Sequence, residues 1–280
     1  MSENNELLEL VSSAGEGPVL FHSDIFKVMG LVGKSSSPKV LLNSHLNFIE
    51  KLSSGRGVVL PTFNYDFTKT KVYDVRESES QVGALSDHAR RDWSEWRSLT
   101  PVFNFCGDKA SESLLSKGGQ VADGQEVDPF DEASLFNALY ENDGVVVMYG
   151  APFQSFTGIH YIEHRSGRPL YRYDKYFPGK VIDWDGKENN VNFKYHVRPL
   201  NVHVDYRWRE LLDFSISKGA VKEHIRPKVS VYVISFREIC DLWVSELSND
   251  PLFLLDEESK KFVEPKLKEL GRRFKLEDFE

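Results

Sequence analysis

The stretch GVVVMYGAPFQSFTGIHYIEH, residues 144–164, decides the fold. Its first part is a valine-rich run between two glycines, which is typical of a β-strand that is covered on both faces. Turn residues follow, and Thr157 then begins a predicted helix that Gly167 and Pro169 end. A buried strand that leads into a helix indicates an α/β fold, in which ligands tend to lie at the carboxyl ends of the strands.

The chain before this stretch shows the same alternation of strand and helix. PVLFH, residues 18–22, predicts a strand, residues 40–52 predict a helix, and the run GVVL before Pro61 predicts a second strand. Ser134 is a predicted cap of the helix SLFNALYE.

The chain after this stretch changes character. The segment YRYDKYFPGKVIDWDGKENNVNFKYHVRPL is aromatic and basic, and it predicts a β-hairpin that turns at DGKENN. VSVYVISF predicts a further strand, and the charged tail from Glu257 predicts a helix. Because no repeat or low-complexity linker interrupts the chain, we expect residues 1–280 to form one α/β domain.

Composition and charge restrict the class of protein. The chain is 40% hydrophobic and 28% charged, which is ordinary for a globular protein, and no run approaches the ~18 apolar residues of a membrane span. We therefore expect a soluble, cytoplasmic protein without membrane contacts. A net charge of -8 argues against nucleic-acid binding. Cys106 and Cys240 lack a C-x-x-C partner, so we expect two buried thiols.

The helix contains the pattern H-x-x-E-H at His160, Glu163 and His164, which share one helix face. In zinc proteases of the inverted type, two such histidines hold the metal and the glutamate acts as base. The same spacing suits a metal-free histidine base that a carboxylate orients. A third interpretation is a helix histidine beside a solvated face. The local sequence leaves all three open.

Five segments in order resemble the aminoglycoside 3-N-acetyltransferase family, which uses acetyl-CoA. They span roughly residues 18–165 and read PVLFHSDIFKVMGLVG, GRGVVLPTFNYDF, QVGALSDHARR, RSLTPVF and MYGAPFQSFTGIHYIEH. The last is similar to the family signature T-x-x-H-x-x-E. The resemblance implies a single-domain α/β/α layered fold with a central mixed sheet. It favours the acyl-transfer interpretation over the metal, and we expect no metal in the protein.

The resemblance also implies roles for individual residues. His160 is the expected general base, Glu163 orients it, and Thr157 helps to stabilise the oxyanion together with backbone amides near His22 and Ser23. The expected acetyl-CoA contacts are His22, Ser23, Asp24, Gly30, Pro61, Thr62 and Phe63. The expected acceptor contacts are Asn64, Arg97, Thr100, Tyr171, Tyr173 and Lys175, with residues 168–205 as a hairpin insertion near the acceptor.

Three residues depart from the family pattern, namely Asp24, Thr100 and Asn104. Together with the aromatic, basic segment from Tyr171 to Lys180, they favour an aminosugar acceptor, including a nucleotide-linked one for bacterial surface polysaccharide. The amine would attack acetyl-CoA directly in a ternary complex. The alternatives are an aminoglycoside antibiotic acceptor, a zinc hydrolase, and a non-catalytic relative that binds CoA or sugar. The assembly state is open, with a homodimer among the options.

Overall fold

A seven-stranded mixed sheet forms the centre of the fold. The computed structural model describes residues 3–33, 35–116, 119–167 and 169–279. The strands are β1 Val19–Ser23, β2 Val58–Pro61, β3 Val72–Asp74, β4 Trp96–Arg97, β5 Phe105–Gly107, β6 Gln125–Val127, β7 Val145–Tyr149, β8 Tyr173–Ile182, β9 Glu188–Val197, β10 Val221–Arg226 and β11 Val229–Ser235. The central sheet has the order β10-β11-β7-β1-β2-β5-β4.

Helices cover both faces of this sheet. They are α1 Glu3–Ser12, α2 Pro38–Ser53, α3 Phe67–Thr70, α4 Ala84–Asp92, α5 Leu135–Glu141, α6 Gly158–Arg165, α7 Trp208–Ser217, α8 Phe236–Asn249 and α9 Glu257–Leu270. Residues of α1, α2 and α4 belong to the hydrophobic core on one face, and residues of α5, α6, α7 and α8 belong to the core on the other. The predicted α/β/α layered fold with a central mixed sheet is therefore confirmed.

Strand β7 lies in the middle of the sheet, as its valine-rich sequence predicts. It pairs in parallel with β1 and antiparallel with β11, and all five of its residues are buried. Val145, Val147 and Tyr149 face one core, whereas Val146 and Met148 face the other. A strand between two apolar layers needs no polar alternation, because neither of its faces contacts water.

The other sequence predictions locate most of the remaining elements. PVLFH, GVVL and VSVYVISF correspond to β1, β2 and β11, and the charged tail contains α9. The Ser134 hydroxyl caps α5 by accepting a hydrogen bond from the backbone amide of Asn137. Cys106 and Cys240 are free and buried, as expected. Across the described part of the chain, none of the helices has the length and apolar character to span a membrane.

A second sheet contains the predicted hairpin. Strands β8 and β9 pair over ten residues each and turn at residues 183–187. Two short strands, β3 and β6, join the hairpin on its two sides in parallel, which gives the order β3-β8-β9-β6. The sequence does not predict this four-stranded sheet, because three-residue strands from distant segments carry no periodicity of their own. That residues 1–280 form one domain stays a prediction.

The ends of β1 and β7 create the loop that borders the site. Gly150 follows β7 with a φ of 78°, and a Cβ atom there would lie 2.2 Å from the carbonyl oxygen of Asp24. The Asp24 amide donates to the carbonyl of Tyr149 at 2.9 Å. Only glycine permits this close approach of the two loops.

Gly150→Ala should therefore destabilise the protein more than Gly55→Ala. Gly55 has the same φ of 78°, but a Cβ atom there would meet nothing within 4 Å. We expect about 1–2 kcal/mol for the backbone strain at either position, and about 1–3 kcal/mol more at Gly150 for the collision with Asp24. Urea unfolding of both variants measures the difference. Equal free energies of unfolding would contradict the close approach.

Candidate active site

A cleft of about 540 Å³ opens at the carboxyl ends of β1 and β7. The loops after β1, β2 and β7 form one side of it, and α6 contributes His160. Tyr195 of the second sheet and Tyr206 and Trp208 at the start of α7 form another side. This position is the one that the strand–helix order of residues 144–164 predicts for a ligand site.

Helix α6 holds His160 at the cleft because its other side is fixed in the core. Ile159 and Ile162 are buried in that core. A Cβ atom at Gly158 would lie 2.6 Å from Phe156 and 2.7 Å from Phe236, so the first turn of the helix packs tightly against two aromatic rings. Thr157 precedes the helix and lines the cleft, and its hydroxyl donates to the carbonyl of Ser155 at 3.3 Å.

Glu163 lies one helical turn from His160 and has no solvent exposure. Its Oε2 accepts from His160 Nδ1 at 3.0 Å and from His196 Nε2 at 3.3 Å. Its Oε1 accepts from the Tyr171 hydroxyl at 2.9 Å, Arg172 Nε at 3.0 Å and the Tyr206 hydroxyl at 2.7 Å. Five donors on one carboxylate satisfy a charge that would otherwise be costly to bury.

The buried charges of this cluster nearly cancel. Burial by itself raises the pKa of Glu163, but the Arg172 guanidinium and the hydrogen bonds from His160 and His196 hold it well below its usual range. Glu163 is thus ionised and can only accept hydrogen bonds. It follows that His160 carries its proton on Nδ1, and that Nε2 has a free lone pair. The Tyr195 hydroxyl lies 3.3 Å from this Nε2.

Burial also determines the protonation state of His160. It lowers the pKa of His160 to about 4, although the hydrogen bond with Glu163 acts in the opposite direction. Arg172 contributes to the low value because its positive charge disfavours a second cation nearby. His160 is therefore neutral at pH 7, which is the state a proton acceptor requires.

His164 does not join this cluster. Its Nε2 lies 3.4 Å from Asp128 Oδ2, and Lys194 Nζ lies 3.5 Å from the same oxygen. The metal ligands that the H-x-x-E-H pattern suggests therefore do not converge. His160, Glu163 and His196 do place ligand atoms within 4.8 Å of one another. However, Arg172 binds the same carboxylate, and its charge disfavours a cation at this point.

The structure brings most of the predicted acetyl-CoA residues to the cleft. His22, Ser23, Asp24, Pro61 and Phe63 line it. The buried atoms His22 Nε2 and Ser23 Oγ have no hydrogen-bond partner in the protein, so they are available to a ligand.

Two of the predicted acetyl-CoA residues lie elsewhere. Thr62 is buried and donates to Asn104 Oδ1 at 2.7 Å. Gly30 packs against Val229, where a Cβ atom would lie 2.9 Å from the Val229 side chain.

The predicted acceptor residues do not line the cleft. Arg97 is 2% exposed and donates to the carbonyls of Val75 and Ser78 and to Asn104 Oδ1. Asn64 donates to the carbonyl of Glu79.

The remaining predicted acceptor residues are likewise outside the lining. Tyr171 supports Glu163, and Tyr173 stacks on Phe279. Thr100 is half-buried, and Lys175 lies on β8, 6.0 Å from the Phe177 ring. The aromatic, basic segment thus supports the site from behind and does not face the ligand.

Sequence reasoning missed several residues of the site. These are Arg172, Tyr195, His196, Tyr206 and Trp208. The hairpin prediction gave a partial signal, because a hairpin next to the acceptor must contribute some of its side chains. Which residues face Glu163 depends on how the second sheet packs on α6, and no local pattern encodes that packing.

Comparisons with known proteins agree with this geometry. The model of the family described as aminoglycoside 3-N-acetyltransferase matches residues 58–247, about two thirds of the chain. The chain therefore belongs to this family, and it is an N-acetyltransferase. The family that its sequence motifs resemble is confirmed.

Solved structures of this fold include three that are described for this family or for its cosubstrate. Aminoglycoside acetyltransferase AAC(3)-IVa, as apoenzyme, is 20% identical with a TM-score of 0.63, and the alignment covers 92% of this chain and 95% of the other. AAC-IIIb, a binary complex with CoASH, is 14% identical with a TM-score of 0.64 and coverages of 88% and 96%. AAC-VIa bound to sisomicin is 12% identical with a TM-score of 0.64 and coverages of 88% and 97%. At such identities the likeness shows a shared fold. A direct comparison with curated proteins gives no match.

Three buried histidines should make the protein less stable in mild acid. Burial lowers the pKa of His22, His45 and His160 from 6.5 to about 4. Between these values the unfolded chain binds more protons than the folded one, so the free energy of unfolding falls as the pH falls from 6.5 to 4. His45→Gln should reduce this slope by about 1 kcal/mol per pH unit between pH 6 and 5. Urea unfolding over a pH series measures it.

Asn47→Ala is the control, because Asn47 is exposed on the same helix and carries no titrating group. It should leave the slope unchanged. An equal slope in the wild type and His45→Gln would contradict a neutral, buried His45.

Proposed function

We propose that the protein acetylates the amine of a small molecule, an aminosugar, with His160 as general base. Acetyl-CoA is the acyl donor, as expected for the family. One observation carries the proposal: a buried, ionised Glu163 holds His160 Nδ1, which leaves the Nε2 lone pair free at the cleft. The family and the AAC-VIa structure with sisomicin favour an aminoglycoside as the second candidate acceptor.

The proton moves in two steps. The neutral amine attacks the thioester carbonyl, and its nitrogen becomes acidic as the C–N bond forms. His160 Nε2 accepts this proton, and the resulting imidazolium is stabilised by Glu163 at 3.0 Å. The C–S bond then breaks, and His160 returns the proton to the departing thiolate. Direct attack within a ternary complex needs no acyl-enzyme and gains from proximity.

The oxyanion requires donors that are in place before the attack. Thr157 lines the cleft one turn before His160, and we propose its hydroxyl as one donor. The backbone amide of Asp24 already donates to Tyr149. This leaves the unpartnered Ser23 hydroxyl and the amides near His22 and Ser23 as the other candidates.

The donor and the acceptor would approach from different sides of the cleft. The unpartnered His22 Nε2 and Ser23 Oγ suit the amide groups of the pantetheine arm, and Pro61 and Phe63 provide its apolar wall. The acceptor would then lie between His160 and the second sheet, where the hairpin within residues 168–205 contributes Tyr195. A cytoplasmic location and a homodimer stay predictions.

His160→Ala should reduce acetyl transfer by about 10² to 10⁴ and leave acetyl-CoA binding within about twofold of the wild type. CoA release with an aminosugar measures transfer, and titration calorimetry measures binding. His164→Ala is the matched control, because His164 is on the same helix but faces Asp128. It should retain full turnover. Unchanged turnover in His160→Ala would refute the base assignment.

The acid limb of kcat/KM should follow the acceptor and not the enzyme. With a His160 pKa of about 4, the free enzyme stays in its active form down to about pH 5, so the limb reports protonation of the amine. Two acceptors whose amine pKa values differ by about one unit should give limbs that differ by about one unit. A limb fixed near pH 6.5 for both acceptors would mean that an ordinary histidine controls the reaction.

A further inference from the structure

We propose that the cleft selects an acceptor with a single amine on a body that stacks against aromatic rings, and that it discriminates against polycationic aminoglycosides. This inference rests on the proposed acetyl transfer. An aminosugar joined to a planar group, as in an aryl glycoside or a nucleotide-linked sugar, has the required chemistry. The proposal follows from the aromatic lining of the cleft and from the small number of carboxylates along it.

Aromatic side chains dominate the acceptor side of the cleft. They are Tyr65, Phe103, Phe193, Tyr195, Tyr206 and Trp208. Trp208 and Tyr206 form a corner, with ring centroids 5.0 Å apart at an angle of 76°. Phe103 and Tyr195 form a second contact, at 5.2 Å and 62°. Such surfaces bind the apolar face of a sugar or a planar ring, and their edges leave few acceptors for an ammonium group.

Carboxylates are nearly absent from the described residues of the cleft wall, where Asp24 alone carries one. Its Oδ1 already accepts a hydrogen bond from the Phe26 amide at 3.1 Å. Glu163 cannot substitute, because it has no exposure and is paired with Arg172. A ligand with several ammonium groups would therefore bury most of them without a partner, which is costly.

A side pocket next to the cleft does not change this balance. It shares Asp24, Pro152, Gln154 and Trp208 with the cleft and has a volume of about 590 Å³. Its charged lining residues are Asp24, Asp213 and Glu223 against Lys27 and Arg209. Arg209 Nε donates to Asp213 at 3.1 Å, so much of this charge is already paired.

The net charge of -8 draws cations towards the protein in general. That long-range attraction is screened by salt over ~10 Å at 0.1 M and supplies no contacts inside the cleft. If contacts with rings hold the acceptor, its KM should change less than about twofold between 0.05 and 0.5 M salt. A carboxylate-lined site for a polycation would show a strong dependence.

The test compares three acceptors at saturating acetyl-CoA, with CoA release as the readout. They are an aryl glycoside of a monoamino sugar, the same sugar without the aryl group, and sisomicin. We expect kcat/KM to be highest for the aryl glycoside, about threefold to tenfold above the plain sugar. Sisomicin should be at least ~10-fold below the aryl glycoside because of its unpaired charges. A higher kcat/KM for sisomicin, or no advantage of the aryl group, would overturn the inference.

Two tryptophan variants locate the effect. Trp208→Ala should remove most of the aryl advantage while the wild-type rate with the plain sugar changes much less. Trp184→Ala is the control, because Trp184 is 54% exposed and lies in the hairpin turn away from the cleft. It should keep the full advantage. An aryl advantage that survives in Trp208→Ala would contradict the stacking contact.

A carboxylate added to the wall tests the charge argument. Tyr65→Glu should raise kcat/KM for sisomicin relative to the plain sugar by about fivefold, and this gain should disappear at high salt. No gain, in a variant that still turns over the plain sugar, would count against the charge argument. If the wild type transfers acetyl to none of the three acceptors while it binds acetyl-CoA, the proposed function itself fails. Transfer with a preference for sisomicin overturns only the selectivity.

Discussion

The ion pair between Glu163 and Arg172, 3.0 Å apart and out of reach of water, is the interaction on which the site depends. It joins helix α6 to the start of the hairpin, and the carboxylate also accepts from residues of β9 and of the chain before α7. Breaking one partner of such a pair leaves a buried charge and typically costs ~3–5 kcal/mol. The orientation of His160 is therefore secured by the same contacts that attach the second sheet to the central one.

This arrangement gives the histidine a definite chemical state. An ionised Glu163 accepts the Nδ1 proton, and Arg172 offsets the carboxylate charge, so the imidazole is oriented without being made strongly basic. The pair separates two properties that a simple histidine–carboxylate dyad combines. Orientation comes from the hydrogen bond, and the low pKa comes from burial and from the guanidinium charge.

Family membership and the cleft lining answer different questions about the reaction. The family match and the position of His160 concern the chemistry of acetyl transfer, which requires a base beside a donor loop. The side chains that meet the acceptor come from the second sheet and from the start of α7, where the lining is aromatic. Asp24 and Asn104, which depart from the family pattern, bind neighbouring groups of the protein and so have a structural role.

The sequence by itself determined the central sheet and the reacting pair. GVVVMYG must be a buried strand because it is apolar on both faces, and the i, i+3 spacing of His160 and Glu163 places them side by side on any helix. Only the tertiary structure decided which other groups reach them. Arg172, His196 and Tyr206 come to Glu163 from three separate segments, and Arg97 and Tyr171 turn inward, because long-range packing and the compensation of buried charge select these contacts. A local pattern records neither.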